Sequence, residues 1–233
     1  MKKIRLILII FFLLFFVPYM KGQETQVMVV HGNGGVLYIN DLTSSDSITF
    51  SMVTVPNEGV LIGGVVWATC NVNAPGTFAT SPSEFGMFYQ WNRRIGWSST
   101  DPMINHEGGT TWDNSVPTGE TWETNNDPCP IGWRVPTLTE QQSLTSLGSS
   151  WGEINGVSGR FFGYGDYMVF FPAAGSRGNS GGGLVGVGGF GEFWSSMPHP
   201  GNSQSNAMLI YDWTAHTGSV GRVRGSSVRC VLE

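Results

Sequence analysis

Four acids, Asp113, Glu120, Glu123 and Asp127, fall in one polar stretch of the chain. Paired carboxylates are what glycoside hydrolysis needs, at a separation that sequence does not give. The same oxygens are hard ligands for calcium, but the EF-hand spacing is absent. A solvated acidic loop is the plainer expectation, with no metal and no cofactor. The histidines His31, His106, His199 and His216 sit in turn-like or loop segments. None has the paired spacing of a zinc site, so each is expected on the surface. Gly186-Val187-Gly188-Gly189-Phe190-Gly191 has the spacing of a dinucleotide fingerprint. It leads into strand-like Glu192-Phe193-Trp194-Ser195 rather than a helix start, so no helix dipole would face a phosphate. A turned loop is expected there.

Cysteine chemistry is limited by number. The chain has three, Cys70, Cys129 and Cys230. Counting alone allows three pairings. Cys70 lies in the apolar stretch Trp67-Ala68-Thr69-Cys70-Asn71 and reads as a buried thiol. Cys129 precedes a helix start and Cys230 lies in the last strand, so a Cys129–Cys230 bridge is the expectation.

Charge excludes further classes. Residues 1–22 read as a signal peptide: Lys2, Lys3 and Arg5, the apolar run Leu6 to Val17, then Pro18 and a short polar exit. The apolar run is short of the roughly 20 residues that span a bilayer. Cleavage is expected between Gly22 and Gln23. No cysteine follows closely, so lipidation is not indicated. The three lysines, Lys2, Lys3 and Lys21, all precede that point, leaving 8 arginines against 17 acids, a net of −9. An acidic, lysine-free chain is a poor partner for nucleic acid or anionic membrane and has no Schiff-base amine. The expected location is secreted, periplasmic or cell-surface associated, without stable membrane insertion after cleavage.

The elements that must position these residues fall into two parts. Residues 23–55 are expected to form an N-terminal β-hairpin unit and linker. Strands are expected at Gln26 to His31 and Val36 to Ile39 around the turn Gly32-Asn33-Gly34-Gly35, with a third at Asp46 to Phe50. Residues 56–233 hold every tryptophan and cysteine and are expected to be the main domain. In it, Leu61 to Thr69 reads as a strand. Ser81-Pro82-Ser83-Glu84 predicts a short helix through a capping box with proline at the first helical position. Residues 95–127 read as a long ordered loop. Thr137 and Glu140 form a second capping box, which predicts a helix over Thr137 to Leu147 ended by Gly148, with Leu144 and Leu147 facing the core. Strands are expected at Tyr167 to Phe171, Gly191 to Ser195, Ala207 to Tyr211 and Ser227 to Leu232, with a glycine-rich loop from Gly175 to Gly189. Of nine tryptophans, two or three are expected to be exposed and the rest core.

Several segments together resemble the Fibrobacter succinogenes major paralogous domain family of exported bacterial modules. They are Val65 to Val72, Phe85 to Asn92, Asn126 to Thr137 with its Cys129-Pro130-Ile131-Gly132-Trp133-Arg134, Phe171 to Gly175, Phe193 to Ser196, and Ser227 to Val231. At longer range, Arg134-Val135-Pro136-Thr137 with Glu140, and Val228-Arg229-Cys230, are similar to signatures of the formylglycine-generating enzyme group. That resemblance implies an α+β, C-type-lectin-like fold with short helices and long glycine-rich loops. It does not carry the enzyme activity, because the closely spaced cysteine pair of that chemistry is missing. Calcium-lectin Glu-Pro-Asn and Gln-Pro-Asp triplets are absent as well.

The function expected from the sequence is an exported, non-catalytic binding module that recognises a glycan or a surface protein with its loops. A structural subunit of a surface assembly, or a glycan hydrolase, are the alternatives. Within 175–206 and the strand after it, His199, Asn202, Tyr211, Trp213 and His216 form the expected contact surface, with Trp213 exposed.

Overall fold

The structure is a computed structural model that describes residues 28–32, 35–39, 51–53, 58–165, 167–201 and 203–233. The chain divides into two compact units between Val53 and Thr54. In the first unit, β1 (Met28–Gly32), β2 (Gly35–Ile39) and β3 (Ser51–Val53) form an antiparallel sheet with β2 in the centre. Val30 pairs with Leu37, which pairs in turn with Met52. The signal segment, its cleavage point and Asp46 to Phe50 lie outside the described residues.

The second unit begins with β4 (Gly59–Ile62) and β5 (Val65–Ala68). The stretch expected as one strand is therefore a hairpin. Gly63 and Gly64 turn it at φ 58° and 85°, where a side chain would be strained. Then come β6 (Phe88–Tyr89), β7 (Gly96–Trp97), β8 (Trp133–Arg134) and helix α1 (Leu138–Ser146). After the helix the chain is all strand and turn. β9 (Ser149–Ile154), β10 (Val157–Tyr164) and β11 (Tyr167–Pro172) form a meander, and β12 (Ser176–Arg177) pairs with β13 (Leu184–Val185). β14 (Phe190–Pro198), β15 (Gln204–Tyr211) and β16 (Ala215–Gly221) form a second meander. β17 (Val231–Leu232) inserts between β5 and β8.

This architecture corrects the α+β, lectin-like expectation. Among the described residues there is one α-helix, of nine residues, and one 3-10 turn at Thr124–Asn126, and the rest of the order is strands in small separate sheets. The chain is predominantly β. The first capping box is the clearest reason. Glu84 accepts from the amide and hydroxyl of Thr80 rather than capping a helix, and residues 81–83 only turn. Gly86 then sits at φ 68°, where a Cβ would lie 2.2 Å from the Val72 carbonyl oxygen. That close approach takes the chain into extended β6 instead of a helix.

The second capping box forms as expected. Thr137 Oγ1 accepts from the Glu140 amide, and the Glu140 carboxylate accepts from the Thr137 amide at 2.7 Å. Leu144 enters the core, but Leu147 is exposed, because the helix ends before it and Gly148 turns the chain at φ 83°. Instead of a second leucine, α1 buries Gln141, whose amide donates to the carbonyls of Phe193 and Trp194.

The core of the second unit gathers residues from three of its sheets, among them Trp67, Phe162, Phe171, Phe193, Met208, Ile210 and Val231. Phe171 is its hub, edge-to-face with Trp67, Phe162 and Phe193. The Arg229 guanidinium lies 4.5 Å over the Phe171 ring and is fully buried. Asn71 Oδ1 and the carbonyls of Ala68, Thr69 and Phe170 accept four of its five N–H groups, so each nitrogen of the desolvated cation has a partner.

The Cys129–Cys230 bridge is present, with Cα atoms 6.1 Å apart, and Cys70 is free and buried. Among the described residues no helix is long and apolar enough to cross a membrane.

Candidate functional site

The acids come first, because they carried the hydrolase alternative. Asp113 accepts from the Ser115 hydroxyl and amide and pairs with Arg93 at 2.6 Å. The Ser115 bonds and the Arg93 charge outweigh desolvation and hold its carboxyl below its usual value. Asp127 accepts from the amides of Cys129 and Val135. Burial is the stronger influence there and raises its pKa. Asp113 therefore fastens the middle of the long loop to Arg93, and Asp127 fastens its end. No group of three or more His, Cys, Asp or Glu that could hold a metal occurs among the described residues.

A cleft of about 520 Å³ opens beside the disulfide, lined by Arg94, Asp127, Cys129, Ile131, Trp133 and Arg134 among others. Three of its ionic groups, Arg94, Asp127 and Arg134, have partners within the fold. Arg134 makes a two-pronged bond with Glu140 at 2.6 and 2.9 Å. Arg94 donates to the Asp127 carbonyl at 2.6 Å. These charges hold the cleft walls together.

The expected contact surface splits in two. Tyr211 ends β15, and Trp213 lies in the three-residue turn to β16, closed by the Tyr211 amide donating to the Thr214 carbonyl at 2.8 Å. Trp213 stacks on Tyr211 with ring centres 4.9 Å apart and planes 19° from parallel. His216 of β16 lies nearly parallel to Tyr211 at 6.0 Å, and Phe190 of β14 lies at 5.9 Å. The platform is fixed from below. Arg160, itself buried, donates to the Tyr211 carbonyl and to Ser149 Oγ. Trp213 is 73% exposed, whereas Trp97, Trp112 and Trp122 of the long loop are all buried. The expectation of two or three exposed tryptophans is thus corrected to one.

His199 is not part of this platform. It follows the far end of β14, where its amide bonds Gln204 at the opposite end of β15. Eight residues of β15 separate the two ends, about 24 Å at strand rise. Asn202 lies outside the described residues. His216 lies in a strand and not in a loop, because the chain turns back after Tyr211 and pairs His216 with Leu209. Sequence reading missed the β9–β10 hairpin as well. Its signal was present in Asn155-Gly156, which adopt φ 53° and 75°.

The glycine motif does lead into a strand. Gly186 to Gly189 turn between β13 and β14, and a Cβ on Gly186 would meet the Phe190 ring at 1.9 Å. Phe190 is thereby seated beside Tyr211. No family model, curated protein or solved structure matches this chain.

Proposed function

We propose that this chain is an exported, non-catalytic binding module that offers the Trp213–Tyr211 platform to a glycan. The observation that carries this reading is a mostly exposed tryptophan stacked on a tyrosine whose backbone is pinned by Arg160. A large aromatic ring left in water loses the favourable transfer that burial would supply. Sugar rings have an apolar C–H face that such a ring covers. A platform already ordered before binding loses little conformational entropy when a ligand arrives.

Export is supported by the charged-then-apolar start of the sequence and by the disulfide, a bond compatible with an oxidising compartment. Binding without catalysis is supported by the engagement of Asp113 and Asp127 with backbone and serine donors.

The test is a glycan array probed with the purified protein and with Trp213→Ala. Retention of a neutral glycan by the wild type, and its loss in the variant, is the expected result. Equal binding by both would refute the platform. Release of new reducing ends from a polysaccharide would refute the non-catalytic assignment.

A further inference from the structure

The two loop regions of the second unit meet at a place the aromatic platform does not reach. Asn114 and Val116 from the long loop, Asn179 and Ser180 from the β12–β13 turn, and Ser203 and Gln204 from the start of β15 line one open cleft of about 510 Å³. That volume lies within the range of small-ligand sites, roughly 300–1,000 Å³. Its lining, completed by Gly221 and Val223, contains no ionisable side chain.

The polar groups in this cleft are largely uncommitted. Asn114 Oδ1 accepts from the Gly181 amide, which leaves its NH2 free. Gln204 Oε1 accepts from Ser219 Oγ, which leaves its NH2 free in turn. Among the described residues, the Asn179 amide and the hydroxyls of Ser180 and Ser203 have no hydrogen-bond partner. The cleft therefore presents NH2 donors, an amide acceptor and hydroxyls around Val116, an apolar side chain that is 47% exposed.

The walls, by contrast, are rigidly tied. Arg222, buried and stacked 4.2 Å over Trp91, donates to the carbonyls of Gln204, Pro117 and Gly119. Gln90 donates to the carbonyls of Asp113 and Val223. Arg177, fully buried, donates to Gly182, Ser98 and Thr100. Ionic and amide groups beneath the surface thus fix three loops, while the surface itself keeps neutral groups open.

We infer that this cleft is a second binding site, for a neutral hexopyranose unit. Each hydroxyl of such a sugar both donates and accepts, and so does each carboxamide, which makes them matched partners. The exposed Val116 suits a C–H face. An anionic or cationic ligand would find no counter-charge in the lining. The site is separate from the aromatic platform. Strand alternation along β15 sends Gln204 to the face of Met208 and Ile210 and Tyr211 to the other. One ligand lying flat on a single face does not engage both.

The experiment is an NMR titration of the 15N-labelled purified protein with glucose, galactose, mannose and N-acetylglucosamine, and with glucuronate and glucosamine as charged counterparts. The expected result is saturable shifts of the Asn114, Asn179 and Gln204 side-chain NH2 signals with at least one neutral sugar. Asn179→Ala and Gln204→Ala should each weaken that binding about three- to tenfold, the worth of a hydrogen bond. Trp213→Ala should leave it unchanged. Absence of saturable cleft shifts with every neutral sugar overturns the inference, as does tighter binding of a charged counterpart. Shifts confined to Trp213 and its neighbours would overturn this site while leaving the proposed function standing.

Discussion

Two clefts of nearly equal volume, about 520 and 510 Å³, use their polar residues in opposite ways. The cleft beside the disulfide is rich in charge, and Arg94, Asp127 and Arg134 are all engaged in holding its walls. The cleft between the loops has no ionisable lining residue, and its amides are open. The difference teaches that charge in a cleft is not by itself a sign of function. What matters is whether a group's hydrogen-bonding capacity is met within the fold. By that measure the first cleft belongs to stability, and the second is the one we propose for recognition.

The largest test of this contrast is removal of the bridge that borders the first cleft. The bridge spans a sequence separation of 101 residues. Cys129→Ala with Cys230→Ala should lower stability by up to about 4–5 kcal/mol on the chain-entropy model, read from urea unfolding midpoints. An unchanged midpoint would break the assignment of that region to stability. Next in size is Asp127→Ala, which strands the amides of Cys129 and Val135. The cost expected is about 1–3 kcal/mol, measured in the same way.

Thr137→Ala removes the cap of α1 and should cost about 0.5–2 kcal/mol. The capping partner adds a pH test. Burial disfavours the charged form of Glu140, but Arg134 and the amide and hydroxyl of Thr137 together outweigh it and lower its pKa. A lowered carboxylate pKa stabilises the fold above the ordinary glutamate value and loses that contribution as pH falls through the folded-state value. The stability gap between wild type and Glu140→Gln should therefore be full at neutral pH and narrow under acid. A gap that widened on acidification would contradict the sign.

The smallest stability effect is expected in the loop cleft. Asn179→Ala changes an exposed side chain with no protein partner, so its unfolding midpoint should match wild type within about 0.5 kcal/mol. Its defect should appear only in sugar binding. Loss of stability there would erase the distinction between the two clefts.

How much of this was legible beforehand varies with the range of the interaction. Thr137 and Glu140 were read correctly because a capping box is completed within three residues of its start. Ser81 and Glu84 share the same pattern, yet the Gly86 approach to Val72 and the Thr80 bonds overrode it. The lectin-like α+β expectation failed because it came from resemblance, and short motifs do not specify how many helices lie between them. The Asn155-Gly156 signal was readable and was passed over. The loop cleft was not readable at all, since Asn114, Asn179 and Gln204 come from segments far apart in sequence.

The sequence by itself determined the capped helix, the glycine loop that leads into a strand, and a set of three cysteines that allows at most one bridge within the chain. Each depends on contacts between near neighbours or on a small count. Tertiary structure alone decided that Trp97, Trp112 and Trp122 of the long loop are buried. It also decided that His199 lies apart from Tyr211 and that three loops converge on neutral amides. Burial and convergence depend on long-range packing, and a residue's type carries no record of which distant segment will cover it.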